Sequence, residues 1–156
     1  MDLGLQTGDQ ELLAEALELR KAVVGMVPNS RVFLNELAED LIRLNQPEAA
    51  LVTLEKLLIV TELDSGFTQE SLKLQGIALR QLGRFQEALA SLDQAILLDP
   101  AFGVALVERG LVYYQLGQSE RALEDLNAAI ETPGDAAETY YLRGVSIASW
   151  ASWRRL

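Results

Sequence analysis

The sequence predicts an all-α protein, an α-solenoid in which antiparallel helix hairpins stack side by side. The first observation is a period: the stretches from Gly76 to Pro100 and from Gly110 to Gly134 share small and apolar residues at an interval of 34. The second is that apolar residues within each stretch recur every three or four positions, as on one face of an α-helix. The pairs 34 residues apart are Gly76 and Gly110, Gly83 and Gly117, Ala88 and Ala122, Leu92 and Leu126, Ala95 and Ala129, and Ile96 and Ile130.

The chain before the first full repeat predicts a single helix. Residues 1–10 are expected to form a flexible N-terminus. Residues 11–30 are expected to form a partial hairpin, because the stretch from Ala14 to Val24 is typical of a second helix and Pro28 follows it.

Residues 31–64 predict the first full hairpin, with one helix from Arg31 to Leu44 and another from Glu48 to Val60. Asn45 stands where later repeats have a glycine, and asparagine enters the left-handed backbone region more readily than other non-glycine residues. Pro47 suits the first turn of the second helix.

Residues 69–102 and 103–136 predict two further hairpins of the same design. Gly83 lies where the first helix of the earlier hairpin is expected to end. Glycine suits this position because it adopts the left-handed backbone conformation without steric penalty. Pro100 closes the second helix because proline cannot continue it. Gly117 is expected to end the first helix of the later hairpin, as Gly83 does in the earlier one. The expected helices run from Gln69 to Leu82, Phe85 to Leu98, Gly103 to Leu116 and Ser119 to Glu131.

Two irregularities interrupt the period. Ala38 precedes its equivalent, Gly76, by 38 residues, so four residues are inserted, and the turn from Asp64 to Phe67 is the expected place. Residues 137–156 predict an incomplete repeat, in which Gly144 marks a first helix without a second.

This pattern resembles the tetratricopeptide repeat. The resemblance implies a single domain over residues 11–156, a right-handed superhelix whose first helices line a concave groove, with neighbouring repeats covering each other's apolar faces. In residues 69–102 the resemblance is carried by Leu72, Gly76, Leu79, Gly83, Phe85, Ala88, Leu92, Ala95 and Pro100.

Composition excludes most classes of chemistry. The 156 residues contain no cysteine and no histidine, which removes thiolate nucleophiles, imidazole bases and the commonest transition-metal ligands. The acidic net charge of −10 disfavours nucleic acid and anionic membranes as partners. The start of the sequence resembles neither a signal peptide nor a membrane span, which predicts a cytoplasmic protein. From the composition we also expect no cofactor, no metal and no enzymatic activity.

Charged residues allow two further interpretations, a metal site and an ion pair between helices. Acidic pairs at helical spacing, such as Glu36 with Asp40 or Glu120 with Glu124, could bind a metal, but carboxylates on exposed helices are usually solvated. Arg109 could pair with Asp125 between packed helices, which is a structural role and is favoured over ligand contact.

We favour a protein-binding scaffold that holds an amphipathic peptide or helix in its groove. One end of this groove is expected to be apolar and aromatic, and the other is expected to be mixed polar with basic residues. A clamp for a C-terminal carboxylate is not expected, because only Lys73 fits and Glu108 would repel the ligand. Two alternatives stay open: the repeats belong to a larger enzyme or regulator, or the chain forms homo-oligomers through Trp150, Trp153 and Leu156. The expected groove residues are Lys73, Ile77, Arg80, Val107, Leu111, Tyr114, Tyr141 and Val145.

Overall fold

The computed structural model describes residues 3–60 and 65–132, and every regular element in these ranges is an α-helix. Together they form a helix followed by three hairpins, α2 with α3, α4 with α5, and α6 with α7. The all-α prediction is confirmed. The helices are α1 (Leu3–Met26), α2 (Arg31–Arg43), α3 (Pro47–Val60), α4 (Ser65–Gln81), α5 (Phe85–Leu98), α6 (Gly103–Gln115) and α7 (Ser119–Glu131).

The first helix of each hairpin ends in the same left-handed cap. Asn45, Gly83 and Gly117 have φ angles of 55°, 72° and 74°. After α4 the N–H of Gly83 donates to the carbonyl of Arg80 at 3.0 Å, and the next N–H donates to the carbonyl of Leu79 at 2.9 Å. These are the two bonds of a Schellman motif, and they recur at the ends of α2 and α6. Each cap turns the chain sharply and lets the second helix fold back on the first.

Small residues mark where the two helices of a hairpin cross. A Cβ atom on Gly76 would lie 2.5 Å from Cγ of Leu92, and one on Gly110 would lie 3.2 Å from the carbonyl oxygen of Ala122. A side chain at Gly76 would force the Leu92 side chain to shift, and one at Gly110 would require the facing backbone to move by a few tenths of an ångström. The repeated glycines therefore report packing between helices.

Two helices begin earlier than the sequence predicted. α1 begins at Leu3, so most of the segment expected as a flexible N-terminus has helical backbone. α4 begins at Ser65, so the insertion lengthens α4, and Ser65 to Phe67 are helical instead of forming a turn. The local sequence allows both extensions, because neither segment contains a proline.

Three apolar clusters follow one another along the stack. The first joins α1 to α4 around Leu34, Leu54 and Leu57, which are 0–1% exposed. The second joins α4, α5 and α6 around Leu92, and the third joins α6 to α7 around Leu126. Each hairpin buries its apolar face against a neighbour, as expected for a solenoid. Within the described ranges, no helix combines the length and the hydropathy that a bilayer crossing requires.

Candidate protein-binding groove

The first helices of the three hairpins form one layer. α2 contacts α4 and α4 contacts α6, whereas no contact between α3 and α5 or between α5 and α7 is found in the described part of the chain. The layer whose helices approach each other more closely lies on the inside of the curve. The candidate groove is therefore the surface of α2, α4 and α6, and most of the expected groove residues lie on α4 and α6.

Both cationic residues predicted for the groove are held by carboxylates. Arg80 on α4 donates from Nε to Oε2 of Glu108 on α6 at 3.0 Å, and its Nη2 lies 2.9 Å from the same oxygen. Lys73 donates to Glu70 one turn earlier, and its Nζ lies 5.9 Å from the centroid of the Phe102 ring. The side chain of Glu108 is only 11% exposed, so its charge needs this partner.

The sequence indicates that Glu108 would repel a carboxylate, but it does not predict the pairing of Glu108 with Arg80. The two residues are 28 positions apart, and they meet because α4 and α6 lie side by side. No local pattern signals such a contact. The ion pair leaves the centre of the groove close to neutral.

The apolar residues predicted for the groove differ in accessibility. Ile77, Leu111 and Tyr114 are partly exposed. Ile77 also contacts the first apolar cluster and Leu111 the third, so each presents only part of its side chain to solvent. Val107 is 0% exposed, and its prediction as a partner-contacting residue is wrong. Its side chain packs with Leu106 and the buried residues of α7 in the third apolar cluster, because it lies on the side of α6 that faces the core.

The remaining predicted residues lie outside the described ranges. Tyr141 and Val145 of the groove belong to this set, as do the proposed association residues Trp150, Trp153 and Leu156. Their roles stay predictions.

Asn35 on α2 adds a polar atom near this layer. Its Oδ1 atom is buried and accepts no hydrogen bond from any residue that the structure describes. Gln81 of α4 reaches back to α2, where its Nε2 donates to the carbonyl oxygen of Ile42 at 3.2 Å. The neighbouring first helices are thus joined by polar contacts as well as by apolar packing.

The predicted pairing of Arg109 with Asp125 is confirmed. Arg109 on α6 donates from Nε and Nη2 to the two carboxylate oxygens of Asp125 on α7, at 2.8 and 2.6 Å. Its Nη1 donates to Asp93 on α5 at 2.6 Å. These hydrogen bonds, above all the one with Asp125, raise the pKa of Arg109 above its ordinary value. They outweigh burial, which lowers that pKa. Arg109 therefore joins three helices, which is a structural role.

The acidic pair Glu36 and Asp40 is also structural. The guanidinium of Arg20 on α1 donates to both carboxylates, with 2.7 Å between Nε and Oδ2 of Asp40. Asp40 is buried, so the expectation of a solvated carboxylate is wrong for this residue. In the described segments, no three carboxylates come together in a way that could hold a metal ion.

This architecture defines the class of protein: an α-solenoid of helix hairpins whose first helices form one layer. The family model of the tetratricopeptide repeat matches residues 73–146. This match supports the resemblance to tetratricopeptide-repeat proteins that the sequence pattern predicted.

Two curated relatives come from Arabidopsis thaliana. The chain is 31% identical over 71 residues to the TPR repeat-containing thioredoxin TDX, and 34% identical over 71 residues to a FAM10 family protein. Each match covers 46% of this chain, but only 19% and 16% of the relatives. The chain therefore spans less than a fifth of the length of these proteins.

Solved structures show the same fold. A crystal structure of MamA superimposes with a TM-score of 0.67 at 23% identity, covering 97% of this chain and 86% of that chain. A MamA fragment from Desulfovibrio magneticus gives 0.67 at 18% identity, covering 83% and 71%. YrrB, described as a TPR protein with an unusual peptide-binding site, gives 0.68 at 24% identity, covering 87% and 68%.

Proposed function

We propose that this chain is a non-enzymatic scaffold that binds an apolar or amphipathic segment of a partner protein in the groove of α2, α4 and α6. The observation that carries the proposal is the pairing of Arg80 with Glu108. Because this pair neutralises the centre of the groove, recognition falls to the partly exposed apolar surface of Ile77, Leu111 and Tyr114.

Rigidity supports this function. The three first helices are held by core packing and by polar contacts between hairpins, so the groove residues keep their positions before a ligand arrives. Preorganisation of this kind reduces the ordering cost of binding. Short helices and extended peptides are the usual ligands of apolar grooves between helices, and the peptide-binding site reported for the structural neighbour YrrB agrees with such a ligand.

The redox activity in the name of one curated relative does not extend to this chain. Thiol–disulfide exchange requires cysteine thiolates, and the sequence has no cysteine. The matched region covers 19% of that relative, so the likeness concerns the repeats.

A peptide selection tests the groove. Peptides selected from a displayed random library against the native chain should bind it and lose at least tenfold in affinity when Tyr114→Glu places a charge on the apolar strip. Leu97→Glu is the matched control, because Leu97 is 81% exposed and lies on α5, outside the groove layer. Circular dichroism of both variants should match that of the native chain. Equal affinity for the native and Tyr114→Glu chains would place the binding surface elsewhere.

The short span of the curated matches favours one alternative, in which these repeats serve a larger enzyme or regulator. The apparent mass of the native protein in an extract of its source cell tests it. A mass well above 17.2 kDa on a denaturing gel supports this alternative, and a mass equal to it contradicts it.

A further inference from the structure

A cleft separates α1 from α3, outside the layer of first helices that forms the candidate groove. Both helices pack on α2, and no contact joins them to each other in the described part of the chain. The space between them is a cavity of about 390 Å³, which is within the range of cavities that hold ligands. The structure thus has a second concave site in addition to the groove.

The interior of the cleft is largely apolar. Leu34 and Leu37 of α2 form its floor, and Val24 of α1 lines one side. Thr53 on the α3 side donates its hydroxyl proton to the carbonyl oxygen of Ala49 at 3.0 Å, so that proton is already in use. An apolar group that entered this space would leave water and pack against other apolar side chains. The interior therefore suits an apolar side chain of a ligand.

Lys56 on α3 is the one charged residue among the described residues that line the cleft. The chain has three lysines, and the other two, Lys21 and Lys73, each bond a glutamate one turn away. Lys56 has no acidic residue three or four positions away on its own helix, and it forms no ion pair with a carboxylate of the described residues. An unpaired cation beside an apolar cavity is complementary to a ligand that carries a carboxylate.

The apolar surface continues past the mouth of the cleft. Ile59 lines the α3 side and is 73% exposed. Val27 is 43% exposed and precedes Pro28, which lines the cleft where the chain turns from α1 into α2. A small molecule inside the cavity would leave these rim residues in water, whereas a peptide segment would cover the rim and fill the interior together. The rim therefore favours a protein partner over a small molecule.

We propose that the cleft between α1 and α3 is a second binding site, which takes an acidic segment of a partner protein. One large apolar side chain of the segment enters the cavity, and an aspartate or glutamate beside it pairs with Lys56. Because the ion pair lies at the surface, raising the salt concentration weakens the binding. The site uses none of the groove residues, so the chain can hold one segment in each site.

A peptide selection with the groove disabled tests the site. A displayed library of random peptides is selected against the Tyr114→Glu chain, and the recovered peptides should carry an acidic residue beside a large apolar one. In fluorescence anisotropy these peptides should lose at least about tenfold in affinity when Lys56→Glu is added. Lys56→Arg should keep the affinity to within about threefold, because it keeps the positive charge. Lys21→Glu is the matched control, since it makes the same charge change at a lysine outside the cleft.

A second variant tests the apolar rim. Ile59→Glu should also weaken these peptides at least about tenfold, with unchanged circular dichroism because the side chain is exposed, and Leu97→Glu on α5 is its control. A selection that recovers no binder would overturn the proposal, as would affinities that Lys56→Glu and Ile59→Glu leave unchanged or that Lys21→Glu lowers equally. None of these results bears on the groove, whose test compares the native chain with Tyr114→Glu.

Discussion

Arg109 and Asp125 occupy positions that the repeat fills differently one period earlier. The residues 34 positions before them are Gln75 and Ser91, and there the hydroxyl of Ser91 donates to Oε1 of Gln75 at 2.8 Å. One hairpin thus uses a neutral hydrogen bond where the next uses an ion pair. Both hairpins place two complementary polar groups between their helices at this position, a neutral pair in one and an ion pair in the other.

This equivalence leads to a prediction about stability. Arg109→Ala should lower the free energy of unfolding by about 2–3 kcal/mol, because it leaves the buried carboxylate of Asp125 without its main partner. The double variant Arg109→Gln, Asp125→Ser copies the earlier hairpin and should recover most of this loss, to within about 1 kcal/mol of the native chain. Urea denaturation of the three chains measures both effects. A double variant no more stable than Arg109→Ala would show that the two positions are not equivalent.

At the residue scale the sequence predicted packing better than surface chemistry. It identified the small residues at helix crossings and the pairing of Arg109 with Asp125, because both follow from comparing one repeat with the next. It missed the burial of Val107 and the pairing of Glu108, because these depend on how α6 is rotated against α4 and α7.

The helix ends form the next scale, where local sequence decides the structure. Gly83 and Gly117 adopt the left-handed conformation that glycine favours, and Asn45 adopts it at the equivalent position of the first hairpin. The same pair of backbone hydrogen bonds closes all three helices. The first hairpin thus has the least favourable of the three caps, since asparagine carries a Cβ atom.

Substitutions at these caps should therefore have opposite signs. Asn45→Gly should raise the free energy of unfolding by about 0.5–1 kcal/mol, whereas Gly83→Ala should lower it by about 1–2 kcal/mol. No atom lies within 4 Å of a Cβ added at Gly83, so backbone strain alone causes the loss. Thermal denaturation followed by circular dichroism checks both values. Destabilisation by Asn45→Gly would mean that the asparagine side chain stabilises the turn.

Elements without a strong local signal were placed less well. α4 begins at Ser65 because inserted residues extend an existing helix, and no proline or cap marks the boundary where the period alone would put it. Likewise, no proline marks a boundary near Glu11, and α1 begins at Leu3.

On the scale of the whole molecule, stability is distributed along the stack. α4 contributes Leu74 to the first apolar cluster and Leu79 to the second, so it is covered on two sides. α1 packs on α2 alone within the described part of the chain. In a solenoid, helices with one neighbour open before those between two neighbours.

Hydrogen exchange should therefore follow the position of each helix in the stack. We expect amides of α4 and α5 to exchange most slowly, and those of α1 to exchange at least tenfold faster. Mass spectrometry of peptic fragments measures this order. Equal protection of α1 and α4 would show that the stack unfolds as one cooperative unit.

The sequence by itself determined the class of fold, the number of described hairpins and the ends of helices such as α5 and α7. Amphipathic periodicity, glycine caps and proline breaks act over a few residues, so they can be interpreted without a tertiary structure. Only the tertiary structure decided which side of each helix is accessible and which charges are neutralised. Arg80 meets Glu108, and Arg20 meets Asp40, across helices whose relative rotation depends on the packing of all their neighbours. That rotation buried Val107 and left Leu111 partly exposed, and so it separated the core of this protein from the surface proposed to bind a partner.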